Sequence, residues 1–178
     1  GISKNRIKIY IAYGTHLRQS EEESLSCYGP VYQDYPFIHH DCTDRKLFRH
    51  LGKTSRGTPV YFRKDILDTN FVITFGALSH HYFAGYGGGR KLIFPGLGHR
   101  DAIYQNHSLF LDPLTRSLSS NCLPGVIKNN PLAEDLAEYE SFGPADYTIH
   151  GILDSKGEVC DLLYGSGSDH FQNACATY

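Results

Sequence analysis

The chain has 178 residues, 40% hydrophobic and 20% charged, with a formal net charge of -2, the size and balance of one globular domain with a real core. That charge gives no electrostatic basis for partnership with nucleic acid or an anionic membrane surface, and no apolar run is long enough to span a bilayer. The five cysteines (Cys27, Cys42, Cys122, Cys160, Cys175) are scattered without a Cys-x-x-Cys pair, which argues against a zinc ribbon or a disulfide framework and favours a reduced, cytoplasmic setting.

Residues 6–13 alternate basic or aromatic with aliphatic side chains, the period of a strand. They run directly into Gly14-Thr15-His16, which places His16 where a strand ends and a loop begins. Ser20 followed by Glu21, Glu22 and Glu23 has the pattern of a capped helix start. Residues 37–39 read as a short strand leading to His40-Asp41, residues 58–62 as another, and residues 63–68 as a short helix. Residues 71–75 are almost continuously apolar, as expected for a strand buried on both faces of a parallel sheet.

Beyond the glycine-rich segment that follows, residues 99–111 have helical spacing, with Ile103, His107 and Phe110 on one stripe. Residues 131–142 form a second helix on the pattern, with Asn130 as cap, Pro131 in the first turn and Gly143-Pro144 as the stop. Residues 147–153 and 158–163 read as strands joined by the turn Asp154-Ser155-Lys156-Gly157, and residues 169–176 as a last helix. The alternation predicts a single α/β domain over residues 1–178, a Rossmann-like layered fold with a mainly parallel sheet flanked by helices and a carboxy-terminal hairpin.

The chemistry concentrates in His80-His81-Tyr82-Phe83-Ala84-Gly85-Tyr86-Gly87-Gly88-Gly89-Arg90-Lys91. A glycine loop after a strand of an α/β sheet lets backbone amides approach an anion. Arg90 stands where both a Walker loop and a dinucleotide fingerprint need glycine, so neither motif applies. Lys91 is a candidate nucleophile or anion contact, and most lysines are simply solvated. His81 sits among aromatics as a structural histidine commonly does; His16 lies where such sheets face their ligands. His107 falls on an apolar stripe, where a core role competes with metal ligation. From the residues alone, a histidine-ligated metal hydrolase using His16, His81 and His107 without an organic cofactor stays open. So does a non-enzymatic module that binds an anionic nucleotide through the glycine loop.

Taken together, Gly14-Thr15-His16, His40-Asp41, Thr54-Ser55-Arg56-Gly57-Thr58-Pro59-Val60, the run from His81 to Lys91 with Pro95-Gly96, Asn106-His107 and Asn130-Pro131 resemble the nickel-dependent lactate racemase family. The resemblance is to its amino-terminal catalytic domain and keeps the order of the family's motifs. It implies a racemase or epimerase of a 2-hydroxy acid whose cofactor is a nickel-pincer pyridinium-3,5-bisthiocarboxylic acid mononucleotide. By the same resemblance Lys91 carries that cofactor covalently, His107 ligates the nickel, and His16 and His81 form the acid/base pair. A hydride moves to the cofactor and returns to the opposite face of the resulting keto acid. Gly87, Gly88, Gly89 and Arg90 are expected beside the cofactor. Implied partners are the hydroxy acid, the cofactor-synthesis enzymes and a second α/β domain, without which the chain is expected to be inactive. Two family features lie outside these residues: that second domain and an Asp-x-x-Arg element upstream. A third departs, because Leu17 stands where the family usually has arginine.

Overall fold

The computed structural model describes residues 1–143 and 145–178, with Ser168 described by its backbone alone; the helix stop expected at Pro144 lies outside the described residues. Strand β1 (Ile9–Ile11) is followed by helices α1 (Glu21–Tyr28) and α2 (Pro30–Asp34) and by β2 (Phe37–His39), which pairs parallel with β1. The Ser20 hydroxyl accepts from the Glu23 amide while the Glu23 carboxylate accepts from the Ser20 amide, so the start of α1 has the reciprocal cap read from its sequence.

Next comes a hairpin of β3 (Phe48–Lys53) and β4 (Pro59–Arg63), then the short α3 (Lys64–Leu67). The sequence pattern missed β3, whose residues Arg49, His50, Gly52 and Lys53 show no apolar alternation. Strand β5 (Ile73–Leu78) leads to a two-residue ladder of β6 (His80–His81) and β7 (Gly85–Tyr86) and a 3-10 turn over Gly89–Leu92. Helices α4 (Arg100–Ser108) and α5 (Pro131–Glu140), the hairpin β8 (Tyr147–Leu153) and β9 (Val159–Gly165), and α6 (Ser168–Thr177) complete the order.

This is the expected α/β architecture with its carboxy-terminal hairpin. Among the described residues, the strand pairs β1 with β2 and β5 with β8 are parallel, and the pairs β3 with β4, β6 with β7 and β8 with β9 are antiparallel. In the sheet β5-β8-β9, one face packs Leu78 onto Phe171, Ala174 and Cys175 of α6. The strand expected to be buried on both faces is covered on one only. Ile73 and Phe75 are 56% and 66% exposed, and Leu162 and Tyr164 of β9 are exposed as well.

The main core joins Val60 and Phe62 of β4 to Ile93, Phe94, Ile103, Leu132, Leu136 and Tyr139. Tyr139 stacks on Phe94 with ring centroids 3.6 Å apart, and its buried hydroxyl donates to the Tyr61 carbonyl at 2.6 Å. The turn between β3 and β4 seats on α5 through polar bonds. Thr54 and Thr58 donate to the Asp135 carboxylate, the Ser55 amide and hydroxyl donate to Glu138, and Arg56 pairs with Glu134 at 2.6 Å. The Thr-Ser-Arg-Gly-Thr motif is therefore a clamp between the hairpin and the helix.

Burial pushes His40 and His150 down to about 4 from their ordinary value near 6.5. Among the described residues neither ring nitrogen of His150 has a partner, and His40 has one, the Gly98 carbonyl. Both rings are held neutral in the fold and protonate readily when it opens, so their contribution is complete above pH 6.5. It is lost between pH 6.5 and about 4, by at most about 3 kcal/mol for each ring. Melting temperature recorded from pH 8 to pH 4 should fall steeply below 6.5, and His150→Leu should flatten that slope.

Candidate active site

The glycine loop is shaped by what it packs against. A Cβ on Gly88, where φ is +74°, would lie 2.5 Å from the Ala77 carbonyl oxygen of β5. One on Gly89, where φ is +50°, would lie 2.7 Å from the His150 ring and 2.8 Å from Phe171. The Gly87 amide donates to the Ser79 carbonyl at 2.7 Å. The loop is thus pressed onto the end of β5 and onto α6, a close approach that only glycine permits.

The turn that follows separates two adjacent cations. Arg90 is buried with its guanidinium over the Phe171 ring at 4.6 Å, and the charge of Glu140 reaches it there. Lys91 is half-buried. Burial, with the Arg90 charge adding to it, pulls its amine down to about 8. Its own charge acts in turn on His81 and on His107.

His81 ends β6, and its Nδ1 accepts the backbone amides of Phe83 at 3.3 Å and Ala84 at 3.1 Å. An imidazole accepting at Nδ1 carries its proton on Nε2. Burial, helped by Lys91 and His107, pushes it down to about 4, so the ring is neutral and presents an N–H. His107, near the end of α4, has the opposite polarity. Its Nδ1 lies 2.8 Å from the Ile103 carbonyl, which can only accept, so Nδ1 holds the proton and Nε2 keeps its lone pair. Burial and the charges of Lys91 and His16 hold this ring low as well.

His16 is exposed, on a loop pinned at both ends. The Gly14 amide donates to the Gly96 carbonyl at 2.7 Å, and the His16 amide to the Tyr13 carbonyl at 3.0 Å. Beyond it the Gln19 amide donates to the Tyr13 hydroxyl at 3.2 Å. That hydroxyl meets His39 Nδ1 at 2.7 Å, His39 Nε2 meets the Tyr32 hydroxyl at 3.0 Å, and Tyr32 donates to Glu21 at 2.9 Å. Because Glu21 can only accept and the Gln19 amide can only donate, every bond in the chain has one direction and His39 carries its proton on Nε2. This anchor behind His16 was missed in the sequence, since it joins residues 26 positions apart in a tyrosine-rich region.

The structure therefore gathers His16, His81, Lys91 and His107 from four separate segments into one electrostatic neighbourhood. It packs Gly87, Gly88 and Gly89 against β5 and α6 and turns Arg90 to α6. Among the described residues no three His, Cys, Asp or Glu side chains come together as a metal site. A metal at His107 would thus need ligands from outside that set.

A family model described as the lactate racemase N-terminal domain matches residues 1–117. The lactate racemase of Thermoanaerobacterium thermosaccharolyticum is 25% identical over 172 residues, which is 95% of this chain and 39% of that protein. The lactate racemase of Lactiplantibacillus plantarum is 26% identical over 163 residues, 90% of this chain and 37% of the relative. In structure, the chain is similar to the lactate racemase apoprotein from T. thermosaccharolyticum, with a TM-score of 0.88 at 23% identity over 97% of this chain and 40% of that one. A Thermotoga maritima protein gives a TM-score of 0.67 at 17% identity over 96% of this chain and 44% of its own. The chain spans less than half the length of each of these relatives. With a model of the domain matched over most of its residues, the chain belongs to the lactate racemase N-terminal domain family.

Proposed function

We propose that residues 1–178 are the cofactor-anchoring domain of a two-domain racemase or epimerase acting on a 2-hydroxy acid such as lactate. The observation that carries this reading is the half-buried Lys91 amine, drawn down to about 8, in the shared field of His81 and His107. At pH 7 about one such amine in ten is unprotonated, against about one in several thousand for an ordinary lysine, which suits a covalent tether. His107 offers a neutral nitrogen lone pair fixed by its other nitrogen's bond to Ile103, a donor suited to nickel. Lys91 would hold the nickel-pincer pyridinium mononucleotide and His107 Nε2 would reach its metal. When bound, that group supplies the hydride acceptor that breaking the carbon–hydrogen bond requires.

The two remaining histidines do different work from the resting state. Inversion requires the hydroxyl proton to leave and return. His16, solvent-facing on its pinned loop, is free to take that proton. His81 starts with its proton on Nε2 and gives a hydrogen bond to the substrate oxygen. For it to become a base, the ring must first release the Phe83 and Ala84 amides. Gly87, Gly88, Gly89 and Arg90 frame the cofactor by fixing the turn that aims Lys91. The second domain is the natural source of the remaining substrate contacts, in keeping with relatives more than twice as long as this chain.

Full-length protein co-expressed with the cofactor-synthesis enzymes should gain a nucleotide-sized mass on Lys91, and Lys91→Ala should lack it. An unmodified lysine in active protein would sink the proposal and favour a hydrolase or a simple nucleotide-binding module. His16→Ala and His81→Ala should each lower kcat by about 10²–10⁴; racemisation retained in both would remove the acid/base assignment. In cofactor-free protein, labelling of Lys91 by an amine-directed reagent should rise through pH 8, well before that of exposed lysines, as followed by peptide mass spectrometry. Gly88→Ala, forced into a left-handed backbone against β5, should cost about 2 kcal/mol or more of stability and reduce modification of Lys91.

A further inference from the structure

Asp135 sits in the middle of α5 with none of its surface exposed. Its Oδ1 accepts from the Thr54 hydroxyl at 2.5 Å, and its Oδ2 accepts from the Thr58 hydroxyl and the Asn106 side-chain amide, both at 2.7 Å. All of these donors are neutral. A buried carboxylate supported only by neutral donors adds little that a well-packed apolar side chain could not supply, so net stability is a poor account of it. Geometry is a better one. Asn106 is itself fully buried, and its orientation is forced, because a flipped amide would point its oxygen at the carboxylate.

Asn106 immediately precedes His107, whose ring is tied to its own helix through Ile103. The His107 ring therefore follows any rotation of α4. A rotation of about 20° moves a ring nitrogen about 6 Å from the helix axis through about 2 Å, whereas metal–nitrogen bonds tolerate about 0.2 Å. The buried side chains of this helix are Ala102, Ile103 and Asn106, so two apolar contacts and one directional hydrogen bond define its rotation.

We infer that Asp135 is a positioning residue that sets the rotation of α4, and with it His107, through Asn106. The inference rests on His107 as the metal ligand proposed above. Asn106→Asp sets a carboxylate against the Asp135 carboxylate and breaks the bond, whereas Asp135→Asn alone can turn its oxygen toward Thr58 and Asn106 and keep it. The paired exchange Asn106→Asp with Asp135→Asn restores a donor facing a carboxylate, with the roles reversed. Thr54→Val removes one clamp bond and leaves the Asn106 bond intact, so it reports plain destabilisation.

The experiment uses full-length holoenzyme made with the cofactor-synthesis enzymes. It records the mass adduct on Lys91 and the rate of nickel loss to a chelator, normalised to folded protein. Asn106→Asp should keep the adduct and lose nickel about 10–100-fold faster, the paired exchange should recover most of that loss, and Thr54→Val should stay near wild type. Equal nickel retention in Asn106→Asp and Thr54→Val would overturn the inference. If Asn106→Asp does not fold, Asn106→Ala removes the same bond without adding a charge, and unchanged nickel retention there overturns it equally. If wild-type protein carries no adduct, it is the proposed function that fails. Positioning is then read from the His107 ring signals in NMR spectra of the cofactor-free protein. Those signals should shift in Asn106→Ala and not in Thr54→Val; signals that move alike in both overturn the inference.

Discussion

The arrangement depends on a carboxylate that faces no cation. Asp135 draws hydroxyls from the β3–β4 turn and an amide from α4 onto one helix, so three segments far apart in sequence share a reference point. Directional bonds in a dry interior are intolerant of displacement, since a donor that slips away leaves a desolvated charge behind. The apolar core around Phe94 and Tyr139 supplies cohesion, and this polar knot supplies register. Together they explain why a short helix and a tight turn hold their relative position without disulfides among the described cysteines.

The glycine loop follows a related logic. Its glycines, which in sequence suggest a backbone open to an anion, are spent on contact with β5, His150 and Phe171. A loop flattened in this way divides two neighbouring cations between different environments. Arg90 enters the layer beneath, where an aromatic face offsets its lost hydration. Lys91 stays half-buried outside that layer, where loss of hydration draws its amine down to about 8. The two neighbouring cations meet different surroundings because the glycine backbone before them is pressed flat against β5 and α6.

Much of this was legible beforehand where a signal was local. The Ser20 cap, the Asn130 cap and the Asp154–Gly157 turn each depend on residues a few positions apart, and each forms as read. His16, His81, Lys91 and His107 carry no local signal that singles them out, and only the resemblance to a family joins them as a set. What stayed hidden depended on partners distant in sequence. Asp135 lies within Ala-Glu-Asp-Leu-Ala-Glu, indistinguishable from a solvated helix face until Thr54 and Asn106 are seen against it. Strand β3 lacks alternation because its hairpin partner, not a buried face, defines it. The polarity of His81 and His107 is set by backbone groups no side-chain pattern records, so two similar histidines emerge as opposites.

The half-covered sheet has a mechanical meaning. Ile73, Phe75, Leu162 and Tyr164 form an apolar plane that water penalises. The same strand, β5, ends at Leu78 and Ser79, from which the Gly87 amide hangs and against which Gly88 is pressed. The exposed plane and the turn that carries Lys91 thus hang on one strand, so a shift of β5 along the back of the sheet is a shift of that turn as well.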